Sequence, residues 1–180
     1  MKVTCLSVRQ PWASLIIHSA KWCENRSKPL RYRGEIWIHA ALGWDLANPK
    51  PRTEADAMEL IGNPMPFGAI IGRANLIGAF PVDQVRDTLE GIEPEDPECL
   101  RAMREVSREP LNFFGQSYVE GPWCYLLTER RAILKPIPLK GRLGLWSAEL
   151  SEEQLGKGAV CRHGFKSEEV GIGQSSHAPA

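Results

Sequence analysis

The chain has 180 residues, 22 Lys plus Arg against 22 Asp plus Glu, and a formal charge of zero. That length holds one domain, or one domain with an appendage, and 43% hydrophobic against 24% charged residues is a globular composition rather than a disordered or fibrous one. Balanced charge argues against a protein that tracks long nucleic acid electrostatically, yet it leaves room for a local basic patch.

In chain order, Thr4 to Val8 is mostly apolar or β-branched and reads as a first strand. Pro11 then stands where the first turn of a helix tolerates proline, and Trp12, Leu15 and Ile16 follow at helical spacing, so a short helix is expected from Pro11 to about Ser19. Glu35 to Ala40 reads as a strand. Thr53 to Ile61 opens on a cap-like Thr and stops at Gly62, which predicts a helix. Ala69 to Phe80 is a long β-type run in which Gly72 and Gly78, with Gly68 just before it, fit the bends of a small curled barrel. From Pro81 to Pro110 there are nine acids against four arginines, an excess of five negative charges, which predicts two helices broken around Glu93–Pro97 with a solvated acidic face. Further strands are expected over Trp123–Thr128, Ala132–Leu134 and Leu143–Glu149. Ser151 to Leu155 forms at most one helical turn, and the Gly- and Ser-rich remainder reads as a flexible tail.

No run approaches the roughly 18 apolar residues of a membrane helix, and Met1–Arg9 meets charge too early for a secretory signal. The five cysteines are an odd number without a Cys-x-x-Cys pair, which speaks against a disulfide framework and a structural zinc site. A reduced cytoplasmic protein is therefore expected, with the nucleus as the alternative in a eukaryote. No Gly-rich phosphate loop or metal-ligand cluster is visible, so no cofactor and no metal are expected.

The informative stretch is Met1–Gly34, with seven cations against the single acid Glu24, a surplus of six positive charges interleaved with Trp12, Trp22 and Tyr32. Cations neutralise phosphates and aromatic faces stack on bases, so the mixture suits a nucleotide or single-stranded RNA. The alternative is a basic surface whose aromatics serve the core.

Within it, Leu6-Ser7-Val8-Arg9-Gln10-Pro11-Trp12-Ala13, Lys21-x-x-Glu24-x-Arg26, Tyr32-Arg33-Gly34 and Ile38-His39-Ala40 stand in order. They are followed by Gly68-Ala69-Ile70-Ile71-Gly72, Gly121-Pro122-Trp123-Cys124-Tyr125-Leu126-Leu127 and Gly141-Arg142-Leu143-Gly144-Leu145-Trp146. Together these resemble the ASCH domain, the activating-signal-cointegrator homology family related to the PUA-like barrels of RNA-modifying proteins. The family signature Gly-x-Lys-x-x-Glu-x-Arg is matched at Lys21, Glu24 and Arg26, with Ser19 in place of the glycine. The resemblance implies an α+β fold: a small PUA-like β-barrel with flanking helices and a helical insert. It places an ASCH domain at residues 1–150, the acidic insert at about 81–110 and a tail at 151–180.

What the resemblance implies for function is a cleft around Lys21, Glu24 and Arg26 that binds RNA or a nucleoside. Arg26 offers a planar fork for a phosphate or a base edge, and Glu24 accepts from an exocyclic amine or holds Arg26 in place. Lys21 serves as a point charge or a general base, so Lys21 and Glu24 are the candidate catalytic pair. The competing reading is a salt-bridge cluster tying the first helix to the barrel. Ser7, Arg9, Trp12 and Arg26 are candidate ligand-binding residues. So are Gln10, as a ligand-facing amide or a helix cap; His39, as a cleft acid–base or a hydrogen-bonded structural residue; and Trp123, as a stacking platform or a core residue. A hydrolase acting on a modified nucleoside or RNA is the second reading. Some small family members cleave the acetyl amide of acetylcytidine with a lysine, a threonine and a separate glutamate. Lys21 matches the lysine, but the threonine position holds Glu24 and the strand expected to carry the other acid reads Arg73-Ala74-Asn75. A third reading is a protein-interaction module of a transcription-coactivator type, with the 81–110 insert as the docking surface.

Overall fold

Alternation builds the first strand on two buried faces. In β1 (Lys2–Gln10), Val3 and Cys5 face one apolar cluster while Leu6 and Val8 face the main core. A strand covered on both sides sits inside a sheet, and β1 does. It pairs in parallel with β3 (Gly34–Trp44), Ser7 opposite His39, and antiparallel with β6 (Leu145–Glu149), Leu6 opposite Leu145. The computed structural model describes residues 1–18, 21–45, 65–108 and 118–157.

A parallel pair needs a crossover. Here it comprises α1 (Trp12–His18), the short strand β2 (Cys23–Arg26) and a loop. Every α1 side chain from Trp12 to Ile17 is buried, so the helix fills the core rather than lying on it. Its start is fixed by Gln10, whose Oε1 accepts the Ser14 backbone N–H at 3.1 Å. The Gln10 Nε2 donates to Ser14 Oγ at 2.9 Å and to the Pro66 carbonyl at 2.7 Å. Gln10 is therefore the helix cap, fully buried and with its amide bonded on both ends.

β4 (Ala69–Pro81) and β5 (Trp123–Pro138) form the long antiparallel pair, with register shifts between Ile70 and Gly72 and between Leu76 and Gly78. Gly72 is required for space: a Cβ there would stand 2.5 Å from Ile17 Cδ1 and 2.6 Å from the Arg131 carbonyl oxygen. The two strands expected over 123–134 are one. Glu129 takes a left-handed φ of 49° inside it, so the Glu-Arg-Arg run bends the strand where the sequence reads as a break.

The acidic insert contains α2 (Val82–Leu89) and α3 (Pro97–Val106). Asp96 caps α3, accepting from Glu98 N–H at 2.8 Å, and Pro97 occupies the first turn. Val85, Cys99, Met103 and Val106 pack on Trp22, Phe80 and Leu126 in a second core, which leaves most of the acids in solvent. After β6, α4 (Glu152–Lys157) extends the single turn expected there. Ser151 and Gln154 bond each other's backbone N–H in a capping box. The helix expected at Thr53–Ile61, the position of Ser19 and the tail beyond residue 157 lie outside the described residues.

The sheet order is β2-β5-β4-β3-β1-β6, six strands with four helices among the described residues, an α+β fold. Among the described residues strand pairing does not close it into the expected barrel, since β2 and β6 are edges. Among the described residues no helix is long and apolar enough to cross a membrane.

Candidate functional site

β2 is only four residues long, and its alternation sorts its side chains onto two faces. Glu24 stands opposite Tyr125 and Arg26 opposite Trp123, so both signature residues share one face with β5's side chains. Lys21 comes just before the strand and is 2% exposed. Its Nζ donates to the Cys23 carbonyl, lies 3.8 Å from Glu24 Oε2, and sits 5.7 and 5.9 Å from the ring centres of Trp12 and Tyr118. Glu24 Oε1 is 3.0 Å from Arg26 Nη2, which also donates to the Ser7 carbonyl at 2.6 Å. The Arg26 Nε is buried without a partner among the described residues.

The other face of β2 holds a wall. Asn25 donates through Nδ2 to the Tyr118 carbonyl at 2.9 Å and accepts from the Glu120 N–H at 3.2 Å. Cys23 Sγ also donates to the Tyr118 carbonyl, at 3.3 Å. A hydrogen bond from Cys124 lowers the Cys23 thiol below its ordinary value, reinforced by the Lys21 charge against burial, and the same bond and burial raise Cys124. Burial raises the phenols of Tyr118 and Tyr125. Trp12, whose Nε1 donates to Asp45 Oδ2 at 2.8 Å, meets Tyr118 edge to face at 5.9 Å.

These groups surround a cleft of about 640 Å³, within the roughly 300–1,000 Å³ of small-molecule sites. Ser7, Arg9, Trp12, Lys21, Glu24 and Arg26, all expected at the site, line it. Gln10, His39 and Trp123 do not. Gln10 caps α1. His39 is buried behind Ser7 in the middle of β3 rather than at a strand end, and half-buried Trp123 packs on the main core. The structure adds Asn25, Asp45, Tyr118, Glu120 and Leu143, of which Asp45, Tyr118 and Glu120 stand outside every motif read in the sequence. Tyr118 follows Lys21 by nearly a hundred residues, and only the β2–β5 pairing brings them together.

The charge also differs from expectation. Arg9, Lys21 and Arg26 face Glu24, Asp45 and Glu120, so the lining is balanced rather than basic. The positive surplus of the N-terminal segment resides largely on Lys2, Lys28, Arg31 and Arg33, which are exposed and outside the lining. The salt-bridge cluster and the cleft are thus the same residues: Glu24 neutralises both signature cations while all three line the cavity. Among the described residues no group of three or more His, Cys, Asp or Glu side chains is placed to hold a metal ion.

The ASCH domain family model matches residues 6–130, from β1 into β5 and across every signature residue. The chain belongs to the ASCH family. It is similar to activating signal cointegrator 1 of Homo sapiens, 24% identical over 159 residues that are 85% of this chain and 23% of that protein. It is also similar to the Mus musculus protein of the same name, 32% identical over 99 residues that are 51% of this chain and 17% of that protein. The chain thus spans less than a quarter of these relatives. Among solved structures it is similar to ASCH from Zymomonas mobilis, at 19% identity, with a TM-score of 0.42 over 86% of this chain and 91% of that one. A variant of that protein gives 0.44 at 19% identity, over 89% and 100%.

Proposed function

We propose that this ASCH domain binds a nucleoside, free or as one unit of a single-stranded RNA, in the cleft around Lys21, Glu24 and Arg26. The observation that supports the reading is the pairing of Glu24 and Arg26 at 3.0 Å inside a charge-balanced cavity that has an aromatic corner of Trp12 and Tyr118. A nucleobase edge offers donors and acceptors side by side, and an acid beside a guanidinium complements such an edge. A neutral cavity favours a base over a run of phosphates. Lys21 orders the site by filling the space between the two rings and bridging to Glu24. The same reading takes the curled sheet as a PUA-like barrel whose last seam is spanned by the Arg26 side chain rather than by strand pairing.

The test is calorimetric titration of the full chain with the four ribonucleosides and with a short single-stranded RNA. Binding that is lost in Arg26→Ala and weakened about tenfold or more in Tyr118→Ala supports the reading, since base–aromatic stacking is worth roughly 1–3 kcal/mol. No heat change with any of these ligands, or equal affinity in Arg26→Ala, overturns it.

A further inference from the structure

Ser7 lines the cleft, and its hydroxyl belongs to a chain of hydrogen bonds whose directions are fixed by chemistry. The Trp146 indole can only donate, so at 3.0 Å Ser7 Oγ accepts from it. The Leu139 carbonyl can only accept, so at 2.9 Å the His39 Nε2 carries a proton and donates it. A neutral His39 then has a bare Nδ1, which stands 3.3 Å from Ser7 Oγ and takes the hydroxyl proton. The serine is thereby aimed at a base, and the base is held in one tautomer by a third group. The Arg26 guanidinium lies against Ser7's own carbonyl at 2.6 Å, with its Nε buried and unpartnered among the described residues.

Local structure builds this arrangement rather than merely permitting it. Ser7 and His39 are register partners on β1 and β3. The ladder shifts between Val8 and Gln10 on β1 and between Ile38 and His39 where β3 meets β4, irregularities that re-aim side chains in sheets. His39 is 2% exposed, stacks edge-on against Trp146 at 5.7 Å, and lies so close to Gly141 that a Cβ there would come within 2.3 Å of its ring. The imidazole has one place to be.

We propose that Ser7 and His39 form a nucleophile–base dyad, oriented by the Leu139 carbonyl and faced by Arg26, that cleaves carboxylic esters or activated acyl groups presented in the cleft. Ser7 Oγ bonds to the acyl carbon as its proton passes to His39 Nδ1, and the carbonyl oxygen gains negative charge beside Arg26. The bond to the leaving group then breaks; because His39 stands behind Ser7, its Nδ1 proton reaches the leaving group through a water in the cleft. A second water attacks the acyl-serine, its proton returns to Nδ1 by the same relay and passes on to Ser7 Oγ, and the carboxylic acid and free Ser7 are restored. The dyad stands independently of which ligand the cleft prefers.

The experiment uses a fluorophosphonate, which traps activated serines: Oγ–P forms, P–F breaks and fluoride leaves. The full chain is incubated with the reagent and analysed by intact mass and peptide mapping. One adduct per chain on Ser7 is expected, absent in Ser7→Ala, and formed at least about a hundredfold more slowly in His39→Gln, as loss of a general base requires. Hydrolysis of p-nitrophenyl acetate should fall in parallel. Circular dichroism establishes that each variant is folded, and if either is not, the mapped adduct on the unaltered chain decides alone. No adduct on Ser7 of the folded, unaltered chain overturns the proposal. So does labelling of folded His39→Gln at the original rate, which reduces the network to a structural brace for the Leu139–Gly144 turn.

Discussion

The Arg26 Nη2 donates to the Ser7 carbonyl at 2.6 Å, although the strands that carry them are the first and fifth of six in the sheet. The contact shows how far the sheet has curled. Ser7's N–H reaches the Gly144 carbonyl at 3.2 Å just before the start of β6, and its own carbonyl accepts from a side chain on the far edge. One guanidinium therefore spans the seam and neutralises Glu24 inside the cleft. Fold and site meet at Arg26.

Replacing Arg26 should accordingly cost stability as well as binding. Arg26→Ala leaves the Ser7 carbonyl without that donor and Glu24, 10% exposed, with Lys21 as its remaining counter-charge. A loss of about 1–3 kcal/mol is expected from urea denaturation, below the cost of breaking a fully buried pair because the guanidinium is 26% exposed. Arg26→Lys keeps the charge, but its shorter side chain must bring an ammonium to both acceptors that Nη2 now meets, so it should recover less than half of that loss.

Gln10 should behave as a structural residue. Gln10→Ala removes the acceptor for Ser14 N–H and the donor to the Pro66 carbonyl, both at a fully buried position, for an expected cost of about 2 kcal/mol. Gln10→Glu should be worse, because it buries a carboxylate where the Pro66 carbonyl needs a donor. Denaturant midpoints of the two variants check the order.

How much of this was legible in the sequence depends on whether the signal is local. Glu24 and Arg26 sit two residues apart, which in a strand means one shared face, and the surrounding motifs placed them in a family. The break around Glu93–Pro97 and the solvated acids of the insert were readable for the same reason, although the capping role of Asp96 was not read. What was missed is carried by pairing. Tyr118 and Glu120 belong to the cleft only because β5 lies beside β2 and Asn25 bonds their backbone. Asp45 enters through the Trp12 indole. The N-terminal charge surplus was real, but strand alternation and the 27–33 loop carried much of it away from the cavity, a partition that composition cannot express.

At Gly72 the Ile17 side chain of α1 lies against the sheet backbone. Gly72→Ala should destabilise by about 1–3 kcal/mol, since the new Cβ meets the Arg131 backbone as well as the Ile17 side chain, and the backbone cannot turn aside. Gly91→Ala is the informative contrast. Nothing lies within 4 Å of that position, so its smaller cost should come only from its φ of 81°. Thermal unfolding of the pair separates crowding from backbone strain.

The buried thiols give the chain an alkaline limit. Burial pushes Cys5 up to about 12 and Cys99 up to about 11 from an ordinary 9.0. Folding therefore favours the protonated thiols. Their contribution is fully present below pH 9 and is lost as pH rises from there through 11 and 12, because the unfolded chain ionises first. Stability measured by urea midpoint should fall over that window, less steeply in a Cys5→Ala, Cys99→Ala double variant. At pH 9 a thiol reagent should leave both residues unmodified in the folded protein.

Charge balance in the cleft makes a last prediction that separates base recognition from backbone tracking. Each phosphate contact on a single strand contributes about −0.7 to the slope of log affinity against log salt. Lys21 and Arg26 are both engaged by Glu24, so of the lining cations Arg9, which is exposed on β1, is the one placed to meet a phosphate. Affinity for a short single-stranded RNA should therefore fall with a slope no steeper than about −1, and Arg9→Ala should flatten it towards zero without abolishing binding. A slope of about −2 or steeper would mean that the exposed cations Lys28, Arg31 and Arg33 carry the strand, and the cleft would then be a side chamber to the path of the RNA rather than its destination.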